Sequence, residues 1–142
     1  MKIVPGHVSV VPEEVCFVLE LRSIDDAAVK KACAEVSAMA KRVYPCTASV
    51  EQLGAKPAVP LDERLVKKIK DSADKAGLSA VVMPSGASHD SSPIAHVIPT
   101  GMIFVPSHDG VSHSKDEFTT NDDVLHGVEL LKEAVLAIDR DL

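Results

Sequence analysis

The sequence predicts an α/β (α+β) fold in two parts, a small lobe at residues 1–55 and a helix–strand layer at residues 56–142. Three observations support this prediction. Hydrophobic residues make up 46% of the 142 residues, which is enough for a hydrophobic core. They recur with a period of two in some segments and with a helical period in others. The segment 54–60, GAKPAVP, places a glycine and two prolines between patterned segments and so marks a boundary.

Strands are expected at both ends of the small lobe. Residues 7–11 and 14–22 alternate in polarity, and in the longer run Phe17 falls on one face and Arg22 on the other. The connection between these runs contains one proline and two acids, which is typical of a hairpin. A weaker run at residues 46–53 predicts a third strand.

A helix is expected between these strands, and either Ser23 or Asp25 can cap its N-terminus. Apolar residues recur along it at helical spacing, with lysines and a glutamate on the opposite side. We expect this stripe to face inward: Val29, Cys33, Val36, Ala40 and Val43.

The second part alternates helix, strand, helix, strand and helix. Its first helix spans residues 61–77 and ends at Gly77. Buried strands are predicted at 78–84 and 101–106, with about one helical turn in the loop between them. A sequence like a capping box, Thr120–Asp123, begins the last helix. Two apolar sets are expected to face inward: Leu65, Ile69, Ala73 and Ala76 in the first helix, and Val124, Val128, Leu131, Val135 and Ile138 in the last.

Charge and cysteine content exclude several classes of partner. The formal charge of −6 argues against a nucleic-acid backbone, and the absence of a basic block argues against an anionic membrane surface. No apolar run approaches the ~18 residues of a membrane span. The odd cysteine count, with Cys16 and Cys33 at positions that favour burial, predicts reduced thiols in a cytoplasmic protein.

Two loops rich in serine and histidine, residues 84–92 and 106–118, follow predicted strands, where α/β proteins place function. A serine hydrolase is disfavoured because Ser88, His89 and Asp90 are adjacent in sequence, whereas triad members meet from separate segments. A metal site is only weakly indicated, because no two histidines have the i, i+4 spacing of a helical zinc motif. The ligand-competent side chains in these loops are His89, Asp90, His113, Asp116 and Glu117. A structural role in turns and caps is the third interpretation, which residue chemistry alone favours for His89 and for three other histidines: His7, His96 and His126.

Read together, these loops resemble a known family. SGASHD at 85–90, GMIFVPS at 101–107, GVSHSKDE at 110–117, and Asp123 with Gly127 occur in its order. The family is the N-carbamoyl-amino-acid and allantoate amidohydrolases, in the dinuclear-metal aminoacylase and carboxypeptidase superfamily. The N-terminal run VPGHVSVVPEEVCFVLELRS also resembles the strands of that family's lid and dimerisation domain.

The resemblance implies a partial ferredoxin-like lid lobe followed by the C-terminal part of an α/β metallohydrolase catalytic domain. It implies cleavage of an amide or ureido C–N bond in a small carboxylate of the N-carbamoyl amino acid, allantoate or ureidoglycolate type. A divalent metal, Zn or Mn, serves the complete family enzyme. His113 matches a metal ligand and Arg22 matches the arginine that binds the substrate carboxylate. Three further positions match substrate-facing residues: Ser9, Gly86 and His89.

Several positions depart from the family pattern. Ser9 replaces an asparagine, Glu20 an aspartate, Ser88 a glycine and Lys115 a proline. The early H-x-D motif, the bridging aspartate and the Glu-Glu pair have no counterpart in these 142 residues. We therefore expect a chain that binds no metal tightly, is inactive alone, and takes its small-molecule substrate only with a missing N-terminal part.

Uncovered apolar faces also predict a homo-oligomer. The alternative to the enzyme hypothesis is a truncated remnant that acts as an oligomerising or binding module without catalysis.

Overall fold

The structure, a computed structural model, describes residues 1–140. The chain divides into two units, Met1–Ala58 and a second unit that begins at Val59. Helices and a two-stranded sheet are both present, so the α/β class is confirmed in this coarse form. Within the described residues, every helix is too short or too polar to cross a membrane.

The sheet of the first unit is shorter than predicted. Strands β1 (Lys2–Val4) and β2 (Glu14–Cys16) pair antiparallel, with Ile3 opposite Val15. Residues 7–11 do not form the predicted strand, because the chain turns there and the Val10 N–H donates to the His7 carbonyl at 3.2 Å.

Two further predicted strand segments of this unit were wrong. Residues 17–22 and 46–53 carry no strand, although the first of them alternates in polarity. A strand needs a neighbour to pair its backbone groups. The only ladder among residues 1–140 joins β1 to β2, so neither segment has such a neighbour.

Helix α1 (Asp26–Ala40) begins at Asp25, one of the two predicted caps. The Asp25 carboxylate accepts hydrogen bonds from the Ala27 and Ala28 N–H groups at 2.8 and 3.2 Å. The predicted inward stripe is only partly covered: Val29, Val36 and Ala40 are half-buried, whereas Cys33 and Val43 are exposed.

Burial of the first unit's cysteines was therefore predicted wrongly. Cys16 and Cys33 are exposed free thiols, as is Cys46. The physical reason is that α1 packs against no other helix or strand among residues 1–140. A periodic pattern marks the face that would be buried, but burial needs a second surface.

Helix α2 (Glu63–Lys75) begins the second unit with a charged cap at Asp62. The Asp62 carboxylate accepts from the Arg64 and Leu65 N–H groups at 2.9 and 3.2 Å, and the Arg64 guanidinium lies 2.9 Å from its second oxygen. The hydrogen bond from the Arg64 side chain lowers the pKa of Asp62 to about 2. This cap fixes where α2 starts.

The predicted end of α2 at Gly77 is confirmed. Gly77 has φ 71°, a left-handed conformation that favours glycine. The Leu78 N–H donates to the Ala73 carbonyl at 2.9 Å and the Gly77 N–H to Asp74 at 3.2 Å, the two bonds of a Schellman motif. Ala76, which was expected to face inward, is exposed because it lies in this end turn.

Two further helices follow. Helix α3 (Ser91–Ala95) is the predicted single turn, and a short 3-10 turn occupies His108–Gly110. Helix α4 (Asn121–Asp139) begins at Thr120, whose hydroxyl accepts from the Asp123 N–H at 3.1 Å. The predicted start of the last helix is confirmed.

The core of the second unit lies where α2 and α4 meet residues 101–105. A methyl group on Gly127 would lie 2.4 Å from Val105 Cγ1, and one on Gly101 would lie 2.8 Å from Ile69 Cδ1. At Gly127 the methyl group would overlap the β-branched Val105 side chain, so something must shift there. At Gly101 the contact is with the far end of the Ile69 side chain, which can move aside. The buried residues of this core are Ser72 at 4% exposure, Ala73 at 0%, Leu130 at 7% and Ala134 at 2%.

The two strands predicted for this unit are wrong. Residues 78–84 and 101–106 form no ladder, since neither has a paired neighbour among the described residues.

The predicted inward face of α4 also needs correction. The inward face of α4 runs through Gly127, Leu130 and Ala134. Apart from half-buried Ile138, the stripe that the sequence predicted as buried is exposed: Val124, Val128, Leu131 and Val135. We call these four residues the α4 stripe.

We predict that Gly127→Ala destabilises the chain by about 1–3 kcal/mol, because the added methyl group would overlap Val105. Thermal unfolding followed by helical circular dichroism measures this. In a Val105→Ala background the same change should be neutral, or stabilising by up to about 1 kcal/mol from helix propensity.

Gly54→Ala is the control for this prediction, because nothing lies within 4 Å of the added methyl group. A destabilisation by Gly127→Ala that persists in the Val105→Ala background would show that the close contact is not its cause.

Candidate functional site

Loop 84–92 is organised around a serine–histidine hydrogen bond. Ser85 Oγ lies 2.7 Å from His89 Nε2, and the Ala87 N–H donates to the same oxygen at 3.1 Å. The His89 ring meets the Phe104 ring edge-on, with centroids 5.4 Å apart and planes at 61°. The loop is therefore tied to the 101–105 segment. Gly86, at its tip, has open space where a side chain would be.

The second loop, residues 106–118, is closed at its base. The His108 N–H donates to the Phe118 carbonyl at 2.7 Å, and the Thr119 hydroxyl donates to the Pro106 carbonyl at 2.9 Å. The Ser107 hydroxyl donates across the loop to the Val111 carbonyl at 2.5 Å. These bonds fix the loop between the 101–105 segment and α4.

His113 lies at the tip of this loop in a left-handed conformation, φ 57°. That conformation is uncommon for a histidine and needs support from its surroundings. A Glu117 carboxylate oxygen accepts the His113 N–H at 2.7 Å, and the Glu117 N–H in turn donates to the Ser114 carbonyl at 3.1 Å. Glu117 thus holds the backbone of the histidine that the sequence singled out.

The other two predicted site residues lie in the first unit. Arg22 is 55% exposed and forms an ion pair with Glu20, with 2.7 Å between Nη2 and Oε1. Residues 17–22 form no strand, so this pair joins side chains two residues apart in an irregular segment. Ser9 lies in a turn, where its N–H donates to His7 Nδ1 at 3.3 Å.

The residues present do not make up a metal site by themselves. Within residues 1–140, no three histidine, cysteine or acidic side chains are grouped so that they could hold a metal ion. Structural and catalytic zinc sites take three or four protein ligands. To help bind a metal ion, His113 would thus need further ligands from outside residues 1–140.

Two contributors to these loops were missed as functional residues. The sequence drew attention to Ser88, but Ser85 is the serine that contacts His89. Glu117 was noted as a motif match and as a ligand-competent side chain, whereas in the structure it supports the left-handed His113. The four-residue spacing in both pairs is a usable signal, because a turn brings residues i and i+4 together.

Comparison with known proteins shows which family the sequence matches. The sequence matches Peptidase family M20/M25/M40 over residues 3–137. It is 37% identical to the N-carbamoyl-L-amino acid amidohydrolase of Geobacillus stearothermophilus over 95% of this chain and 34% of that protein. It is 29% identical to the allantoate amidohydrolase of Escherichia coli K12 over 89% of this chain and 32% of that protein. The chain thus spans about a third of the length of these relatives.

Comparison with a solved structure agrees with these sequence matches. An amidase of the hydantoinase/carbamoylase family from Burkholderia multivorans superposes with a TM-score of 0.74 at 30% identity, covering 81% of this chain and 29% of that one. The two sequence relatives are named as amidohydrolases, of an N-carbamoyl-L-amino acid in one case and of allantoate in the other. The chain belongs to Peptidase family M20/M25/M40, and the resemblance found in its sequence is confirmed.

We predict that the isolated chain binds Zn²⁺ or Mn²⁺ only weakly, because a lone His113 falls short of the three or four ligands required. Titration calorimetry measures this, with His96→Ala as the control and His113→Ala as the variant that removes the remaining affinity. Tight binding of two metal ions would contradict the prediction and point to recruitment of Asp90 or Asp116.

Proposed function

We propose that this chain is the C-terminal part of a metal-dependent amidohydrolase that cleaves a linear amide or ureido C–N bond in a small carboxylate substrate. The substrate class is that of N-carbamoyl amino acids, allantoate or ureidoglycolate. Activity requires the N-terminal part of such an enzyme, which carries the early metal motif, the bridging aspartate and the glutamate pair. The Zn or Mn ions belong to that complete assembly.

One observation supports this proposal above others, the family match over residues 3–137. It extends through both units, and it includes the two loops whose serine, histidine and glycine positions follow the family's order. The chain spans about a third of the length of its named relatives, so the proposed activity is that of the whole enzyme.

In this proposal the first unit is a partial ferredoxin-like lid that contributes substrate binding. The guanidinium of Arg22 is more than half exposed, and its planar fork suits a carboxylate. Glu20 now occupies that fork, so a substrate carboxylate would replace the Glu20 carboxylate. An exchange of one carboxylate for another keeps the charge of Arg22 paired throughout.

Complementation tests the proposal. The chain is mixed with a separate polypeptide that carries the N-terminal two thirds of the Geobacillus relative and a divalent metal, and hydrolysis of an N-carbamoyl amino acid is followed. We predict that hydrolysis returns and that Arg22→Lys raises KM at least about tenfold, since lysine cannot reproduce the bidentate geometry.

Arg42→Lys serves as the matched control, because Arg42 is an exposed arginine of the same unit. If hydrolysis returns but Arg22→Ala leaves KM unchanged, the role of Arg22 is wrong. If the assembled mixture forms a stable complex and no substrate of this class is hydrolysed, the enzyme proposal is wrong.

A second candidate function is a non-catalytic module that self-associates. The α4 stripe favours it, since four apolar side chains of one helix face are 44–58% exposed. They line an apolar groove of about 550 Å³ together with Leu65, Ile69, residues 101–103 and Val105. Contiguous apolar surface of this kind favours association.

We predict that the isolated chain sediments as a dimer or larger oligomer at micromolar concentration, and that Leu131→Lys makes it monomeric. Leu125→Lys is the control, because Leu125 is 63% exposed on the same helix and does not line the groove. A monomeric wild-type chain would contradict self-association through this surface.

A further inference from the structure

We draw no further inference here: the strongest candidate, the apolar groove that α2, residues 101–103 and the α4 stripe form in the second unit, belongs to the self-association already proposed, and nothing among residues 1–140 shows what else covers it.

Discussion

The close approach of α2 and α4 to the 101–105 segment is the contact on which the second unit depends. Gly127 allows α4 to lie against Val105, and Gly101 lies under the flexible end of Ile69. Three of the four buried residues of this unit are small, namely Ser72, Ala73 and Ala134, and the fourth is Leu130. Small residues allow helices to approach closely but remove little apolar surface from water.

Both candidate loops depend on this contact. Loop 106–118 leaves the 101–105 segment directly and ends at the cap of α4, so both of its ends are anchored in the core. Loop 84–92 reaches the same segment through the His89–Phe104 ring contact. The geometry of His113 therefore follows from packing that does not include it, whereas His89 itself contributes the ring contact that ties its loop to the segment. Such support from a rigid base is what a binding loop needs in order to present side chains in one orientation.

The sequence predicted the features that depend on interactions within a few residues, but not those that depend on distant segments. Asp25, Gly77 and Thr120 act on backbone groups within a few residues, and the ends of the helices were predicted correctly from them. Residues 17–22 and 78–84 have strand-like sequences, but strands are made by neighbours that lie elsewhere in a chain, and the pattern does not reveal whether they are present.

The same limit applies to the site. His89 and His113 were identifiable by motif, whereas the partners that orient them, Ser85 and Glu117, became recognisable only when the loop turns were known.

Helix α4 is apolar on two faces, one that packs and one that stays in water. In a cell, extended apolar surface is the feature by which chaperones and proteases recognise an incompletely assembled chain. If the chain self-associates as proposed, covering the second face of α4 would therefore lengthen the lifetime of this protein.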